Sequence, residues 1–252
     1  MIKKISLTLA AAVALFTAGC NNLIENVSPS DITIDQLQSR KDKAADPDGR
    51  FSKAKSYIIK QQVSEDSLFG TASVKIVELK YKSPDRIKCT VSVEGEPQSG
   101  YIINGSSAWN IDYKSRKVMP IPPQNMQQIR TLTRLNTPSS RYTEVFKNVN
   151  IEKYKTANDE FYKLTCSNNP DNIIEIYVDA QTFLTSRMRV SLKLPAGVIK
   201  TDTVMKSYSL YEGVRIADES VATTGDDSQK QKVIYYKLDA QIADSEFTPP
   251  VL

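Results

Sequence analysis

The chain has 252 residues, of which 33 are Lys or Arg and 29 are Asp or Glu, and it contains no His. The formal net charge is only +4 and the basic residues are scattered, so the sequence lacks the basic cluster typical of a nucleic-acid-binding protein. Without His, the chain lacks the residue whose ordinary pKa best suits proton transfer near neutral pH, and it lacks the commonest metal ligand. The scattered charges therefore disfavour a nucleic-acid-binding protein, and the lack of His disfavours an enzyme or a metal site.

The first 19 residues are typical of an export signal. Lys3 and Lys4 give a positive start, and residues 5–16 form an uncharged, largely apolar core of about a dozen residues, the usual length for a signal peptide. This core is shorter than the roughly 20 apolar residues that a membrane-spanning helix needs. We therefore predict a lipoprotein signal peptide over residues 1–19, whose removal takes away Lys3 and Lys4 and lowers the net charge from +4 to +2.

A candidate lipidation site ends this signal. The segment Thr17-Ala18-Gly19-Cys20 resembles the bacterial lipobox, in which small residues precede a Cys that is acylated, for example with palmitate, and becomes the mature N-terminus. An ordinary secretory signal with an incidental Cys is the alternative. The polar residues 20–31 then predict a lipidated Cys followed by a flexible tether. The lack of Asp directly after Cys20 resembles the outer-membrane default of many Gram-negative bacteria, and the inner membrane is the alternative location.

Two further cysteines, Cys89 and Cys166, each lie on the apolar face of a predicted strand. Exported proteins mature in an oxidising compartment, so the two residues are candidates for a disulfide. The alternative is that both are buried free thiols that pack as small hydrophobic side chains. Neither is a good candidate for a catalytic nucleophile, because no His is present to activate a thiol.

Most of the chain shows the alternation typical of half-buried β-strands. In residues 173–194, apolar and polar residues alternate on both sides of a turn that starts at Asp179, which predicts an antiparallel hairpin. Asn104 and Gly105 predict a second hairpin, because both tolerate a positive φ. The predicted strands cover residues 56–63, 71–82, 86–94, 101–103, 108–112, 149–155, 161–166, 173–179, 187–194, 200–211, 214–224 and 232–240.

Helical segments are predicted at the start and in the middle of the domain. Residues 35–45 form a weak helix with Leu37 as its apolar anchor, and residues 49–55 add a further turn. After Pro120, apolar residues recur at a spacing of three from Met126 to Leu135, and residues 137–146 form a second short helix. The predicted fold is therefore α+β, with a large, curved antiparallel sheet of about 11–12 strands. The middle helices either cover the sheet as plain core elements or form a mobile lid over an apolar cavity.

Several short motifs resemble the periplasmic lipoprotein-carrier superfamily typified by LolA and LolB, over roughly residues 35–252. Their order and spacing carry the resemblance: Lys82-Ser83-Pro84-Asp85-Arg86, Ile103-Asn104-Gly105 followed by Trp109, Asp179 to Leu184, and Asp244 to Pro250. Two departures are visible. Phe183 stands where many relatives have Gly, and the polar loop at residues 94–97 lacks the exposed Leu that marks a LolB-type acceptor.

The resemblance implies that residues 32–252 form an incomplete β-barrel whose helices lid an apolar cavity that holds acyl chains. An inward face of this kind can either line a pocket or fill up as a solid core. The alternating residues supply the candidates for the cavity lining, namely Tyr101, Trp109, Ile111, Met126, Ile129, Ile176, Met188 and Val190.

The function expected from these features is binding of a lipid, or of the acyl chains of lipoproteins, by a membrane-anchored protein that faces the periplasm. The chain has no Gly-x-Ser-x-Gly elbow, phosphate-binding Gly loop or Cys-x-x-Cys pair, so we expect no enzyme, cofactor or metal. The alternative function is a sensing or protein-binding module of the cell envelope on the same fold, which would act through an envelope protein partner.

Overall fold

The computed structural model of the protein describes residues 26–65, 73–135, 137, 141–194 and 197–252. The predicted signal peptide, Cys20 and the first residues of the predicted tether lie outside these ranges. So do residues 71 and 72 of the predicted strand 71–82, and residues 138–140 of the predicted helix 137–146.

Within the described ranges, the dominant element is one antiparallel sheet of 14 strands. The strands are β1 (Asn26–Pro29), β2 (Ser56–Glu65), β3 (Val74–Lys82), β4 (Arg86–Val93), β5 (Glu96–Asn104), β6 (Ser107–Asp112), β7 (Lys117–Pro120), β8 (Asn148–Lys155), β9 (Glu160–Asn169), β10 (Asn172–Asp179), β11 (Thr185–Leu194), β12 (Gly197–Tyr211), β13 (Val214–Thr224) and β14 (Asp227–Leu238). The hairpins predicted around Asp179 and around Asn104-Gly105 are confirmed as the pairs β10–β11 and β5–β6.

The strand order shows that the sheet is not closed. It runs from β1 to β8, on through β14, then from β2 to β7, so β1 and β7 are its two end strands. In the part of the chain that the structure describes, these end strands do not pair with each other. A single curved antiparallel sheet with two free edges is consistent with the predicted incomplete barrel.

The predicted number of about 11–12 strands is too low. The two strands without a sequence signal are β1 and β7, which have 4 residues each and occupy the two edges of the sheet. Each is too short to show an alternating pattern and each ends in a proline, Pro29 or Pro120, which is typical of an edge position. β1 falls within the predicted tether, so four residues of that segment pair with β8 instead.

Four α-helices accompany the sheet in the described ranges, α1 (Ile34–Ala45), α2 (Arg50–Lys53), α3 (Pro123–Leu135) and α4 (Tyr142–Val145), and a 3-10 helix covers Asp244–Phe247. Thr33 starts α1 with a capping box, because its hydroxyl accepts from the Gln36 backbone and the Gln36 side chain accepts from the Thr33 backbone. The chain passes from the end strand β7 to β8, beside the other end strand, through α3 and α4. No helix in the described part is long and apolar enough to span a membrane.

Helices α1, α3 and α4 contribute buried residues to two hydrophobic clusters on the sheet, and Phe51 of α2 packs against a third. Leu37 of α1 and Tyr142 of α4 lie in a cluster with buried residues of β9 to β11. Met126 and Ile129 of α3 lie in another cluster with buried residues of β4 to β6. The helices therefore contact the inner face of the sheet towards both of its ends.

Of the two alternatives for the cysteines, the possible disulfide does not form and the buried free thiols are confirmed, because Cys89 and Cys166 are both free and buried. Cys89 on β4 packs with Val63, Val77 and Val91, whereas Cys166 on β9 lies in the cluster that contains Leu37. In the sheet, strands β10 to β14, β2 and β3 lie between the two cysteines. Burial raises the pKa of each thiol to about 12, so both remain protonated and unreactive near neutral pH.

Candidate ligand-binding cavity

A cavity of about 240 Å³ lies on the inner face of the sheet, with walls from β2 to β5, β10 to β14 and all four described helices. This volume far exceeds the ~10–15 Å³ that one buried water needs. Most lining side chains are apolar or aromatic, and those from the helices are Lys41, Ala45, Phe51, Ile129, Leu132, Thr133, Leu135 and Tyr142. The inner face is therefore not a solid core.

Strand alternation explains the wall made by β2 to β5. Every second residue lines the cavity: Ile59 and Gln61 on β2, Val77 and Leu79 on β3, Cys89 and Val91 on β4, and Tyr101 on β5. The register places these residues opposite one another, since Ile59 pairs with Leu79, Leu79 with Cys89, and Cys89 with Tyr101. Paired residues of an antiparallel ladder share one face, so the wall is continuous.

Of the eight predicted lining residues, the structure brings four to the cavity, namely Tyr101, Ile129, Ile176 and Met188. Met126 and Val190 lie instead within the hydrophobic clusters of α3 and of β9 to β11. Trp109 and Ile111 lie in neither of these clusters, and they pack with Ile102, Ile242 and Phe247.

The placement of Trp109 and Ile111 in the cavity wall was wrong for a specific reason. Trp109 pairs with Ile102, and Ile102 alternates with the inward residues Tyr101 and Ile103, so Trp109 lies on the opposite face of the sheet. The 3-10 helix and the residues before it cover that face with Ile242 and Phe247. Both faces of β5 and β6 are therefore apolar, and alternation alone did not say which of them faces the cavity.

The cavity also has polar groups that were not among the residues predicted to line it. Lys41 of α1 is only 6% exposed, and its ammonium lies 5.4 Å from the centre of the Tyr142 ring. Burial lowers the pKa of Lys41 to about 8, although the charge of the neighbouring Asp42 partly opposes this. Arg215, which also lines the cavity, is exposed and donates a hydrogen bond to the Ala44 carbonyl at 3.1 Å. The spacing of Lys41 four residues after Leu37 places both on one helix face, and that was the available signal.

Three further polar atoms in the cavity wall are buried without a hydrogen-bond partner among the described residues. They are Thr203 Oγ1 on β12 and two atoms on β14, Gln231 Nε2 and Tyr236 OH. The other end of the Gln231 amide accepts from Ser220 Oγ at 3.1 Å. Buried polar groups are nearly always satisfied, so unsatisfied ones in a cavity wall indicate where polar atoms of a ligand can bind.

Arg130 links α3 to the sheet through hydrogen bonds, and no pattern in the sequence indicated this role. Its Nε donates to Asp85 Oδ1 at 3.0 Å, and its Nη2 donates to the Gly105 carbonyl. Two of the motifs that resemble the carrier family therefore meet at one side chain. The closing motif joins them, because Asp244 pairs with Lys82 at 2.5 Å and with Arg86 at 2.8 Å.

The turn between β10 and β11 has a residue other than glycine in the left-handed conformation. Phe183 has a φ of 56°, which is rare for a bulky residue. Its ring stacks on Tyr162 at 6.4 Å, and the Arg40 guanidinium lies 5.2 Å from it, so packing offsets the backbone strain. As predicted, Asp179 bonds its own turn, and its Oδ1 accepts from the Thr182 backbone at 2.6 Å.

No protein-family model and no curated protein matches this sequence. Solved structures match its fold. A LolA superfamily protein from Nitrosomonas europaea has a TM-score of 0.59 at 8% identity over 86% of this chain and 98% of that one. A DUF1329 family protein from Desulfovibrio piger gives 0.57 at 9% identity, over 85% and 96%. A domain assigned to outer membrane lipoprotein sorting from Vibrio parahaemolyticus gives 0.54 at 11% identity, over 86% and 97%.

These similarities cover nearly the whole length of the other chains, so the shared fold is that of a complete domain. They confirm the resemblance to the LolA-like carriers at the level of the fold. At identities of 8–11% they say nothing about individual functional residues.

Proposed function

We propose that this protein binds a lipid, or the acyl chains of a lipoprotein, in the cavity on the inner face of its sheet. The observation that carries the proposal is the cavity itself, about 240 Å³ in volume and walled mainly by apolar side chains of strands and helices. Ligand sites in proteins are typically concave and mostly apolar, with a few placed polar groups. The cavity has both features.

The energy of acyl-chain burial is sufficient for such a role. Each CH₂ group moved out of water contributes about 0.8 kcal/mol. A chain of about ten buried CH₂ groups would therefore contribute about 8 kcal/mol before the entropic costs of binding. This gain needs no catalytic group, and we infer that the protein binds its ligand without converting it.

Helix α3 is the proposed lid of the cavity. Ile129, Leu132 and Leu135 recur on one side of α3 and line the cavity. Arg130 holds the helix to the two turns at Asp85 and Gly105. Because these polar links join α3 to turns and not to strands, α3 can separate from the sheet without unfolding a strand, which would open a path for the ligand.

The proposed location is the cell envelope, with Cys20 as the lipid anchor and the domain facing the periplasm. The lipobox-like sequence at Cys20 supports the anchor. The fold shared with a domain assigned to outer membrane lipoprotein sorting supports a role in lipid or lipoprotein trafficking.

The test compares two variants that introduce the same charge into α3. Leu132→Asp places a carboxylate in the cavity wall, whereas Gln127→Asp places one on the exposed side of the same helix. After the domain has been stripped of co-purified lipid, binding of a fluorescent fatty-acid probe is measured by titration. We expect saturable binding by the unmodified protein, about tenfold weaker binding by Leu132→Asp and unchanged binding by Gln127→Asp.

Circular dichroism and thermal melting accompany the titration, so that a binding loss caused by unfolding is recognised. Native mass spectrometry of protein purified from cells provides an independent measurement, because a carried lipid adds a discrete mass. The proposal is refuted if the stripped, folded protein shows no saturable probe binding and carries no lipid from cells.

A further inference from the structure

We propose that the ligand of this cavity is an anionic amphiphile, whose carboxylate or phosphate headgroup binds beside Lys41 at the C-terminal half of α1. This inference rests on the proposed function and narrows it from acyl-bearing molecules in general to those with a negative headgroup. Three observations support it: the charges of the lining residues, the burial of Lys41 and an unsatisfied hydroxyl nearby.

The described part of the cavity wall has cations and no carboxylates. Among the described residues that line it, Lys41 and Arg215 carry positive charges, and none is Asp or Glu. On the outer face of the sheet the same protein pairs its charges closely, as in the contacts of Asp202 with Arg189 at 3.2 Å and of Lys163 with Glu175 at 2.6 Å. The net positive charge of the cavity is therefore local to this site, and it complements an anion.

Among the lining residues, Lys41 would contribute most to the binding of an anion. Its side chain is almost fully buried in the cavity wall, and burial lowers the pKa of Lys41 to about 8. An anionic oxygen placed beside the ammonium would form a charge-assisted hydrogen bond with it. The face of the Tyr142 ring, 5.4 Å from the ammonium, holds the amine in the cavity.

Two further donors surround the same half of α1. Tyr236 lines the cavity and is 8% exposed, and its buried hydroxyl has no hydrogen-bond partner among the described residues. Burial is the main cause of the raised pKa of Tyr236, and the charge of Asp46, directly after α1, also contributes, so Tyr236 lies towards that end of the helix. Arg215 reaches the same end from β13 through its bond to the Ala44 carbonyl. An oxyanion in this position could accept from Lys41, from Tyr236 and from Arg215 at the exposed rim.

The test varies only the headgroup of the ligand. Oleic acid, oleyl phosphate, methyl oleate and oleyl alcohol compete for the cavity against a neutral fluorescent probe. We expect both anions to bind the unmodified protein about tenfold more tightly than the two neutral ligands. A difference between oleic acid and oleyl phosphate distinguishes a carboxylate site from a phosphate site, and inorganic phosphate alone tests whether the acyl chain is needed.

Lys41→Met removes the charge and keeps a side chain of similar length, and Lys43→Met is its matched control on the exposed side of α1. We expect Lys41→Met to abolish the preference for anions, and Lys43→Met to bind all four ligands as the unmodified protein does. Tyr236→Phe removes the unsatisfied hydroxyl and should reduce the preference about threefold. This second variant keeps the inference testable if Lys41→Met fails to fold.

The outcomes separate the two proposals. If all four ligands bind equally, or if neither Lys41→Met nor Tyr236→Phe alters the preference, the inference about the headgroup is wrong and the acyl-binding function stands. If no ligand of any headgroup binds saturably, both are wrong.

Discussion

The burial of Lys41 predicts that this residue destabilises the free protein. Its pKa falls from the ordinary 10.5 to about 8, with burial as the main cause. At about 1.4 kcal/mol per pKa unit, the difference corresponds to about 3 kcal/mol of lost folding free energy at pH 7. Lys41→Met removes the charge and keeps most of the apolar stem, so we expect it to raise the free energy of unfolding by about 3 kcal/mol at pH 7.

The pH dependence supplies the sharper part of this prediction. Because the folded-state pKa of Lys41 is depressed, the unfolded chain binds a proton more tightly than the folded one between pH 8 and 10.5. The destabilisation by the Lys41 charge is complete below the folded-state pKa of Lys41, and it disappears as the pH rises through that window. The gain from Lys41→Met should therefore shrink from about 3 kcal/mol at pH 7 to about 1 kcal/mol at pH 10.

Urea unfolding of both proteins at the two pH values measures these quantities. All other titratable groups are common to both proteins, so their contributions cancel in the difference. Lys43→Met, on the exposed side of the same helix, should change the free energy of unfolding by less than about 0.5 kcal/mol. A Lys41→Met protein that is less stable than its parent at pH 7, or a gain that does not depend on pH, would refute the reasoning from burial.

Two further predictions concern the anchor and the lid. Cys20→Ala should move the protein from the membrane to the soluble envelope fraction, and an unmodified protein without an acyl label would contradict acylation at Cys20. Arg130→Gln removes the links to Asp85 and to the Gly105 carbonyl, and should lower the free energy of unfolding by about 1–3 kcal/mol and speed probe exchange. The same change at Arg134, which is exposed on α3, serves as its control, and equal stability of the two variants would disprove the role of Arg130.

The local features of the fold were predictable because their causes lie close together in the chain. The turn at Asp179 depends on a side chain that bonds the backbone three residues on. The hairpin at Gly105 depends on a residue that accepts a φ of 57°. Alternation located every long strand, and the many Gln, Lys and Arg residues indicated helix α1, whose capping box at Thr33 and Gln36 the structure shows.

By itself, then, the sequence determined every strand of the sheet except β1 and β7, the four helical segments and the resemblance to the carrier fold. It wrongly placed Trp109 beside Tyr101 in the cavity wall, because both faces of β5 and β6 are apolar and only the position of Phe247 shows which one is covered. It also left open the environment of Lys41, since a lysine on a polar helix is ordinarily solvated. Only the tertiary structure decides such matters: the packing of α1 over the curved sheet takes this one ammonium out of water, and distant strands supply the groups around it.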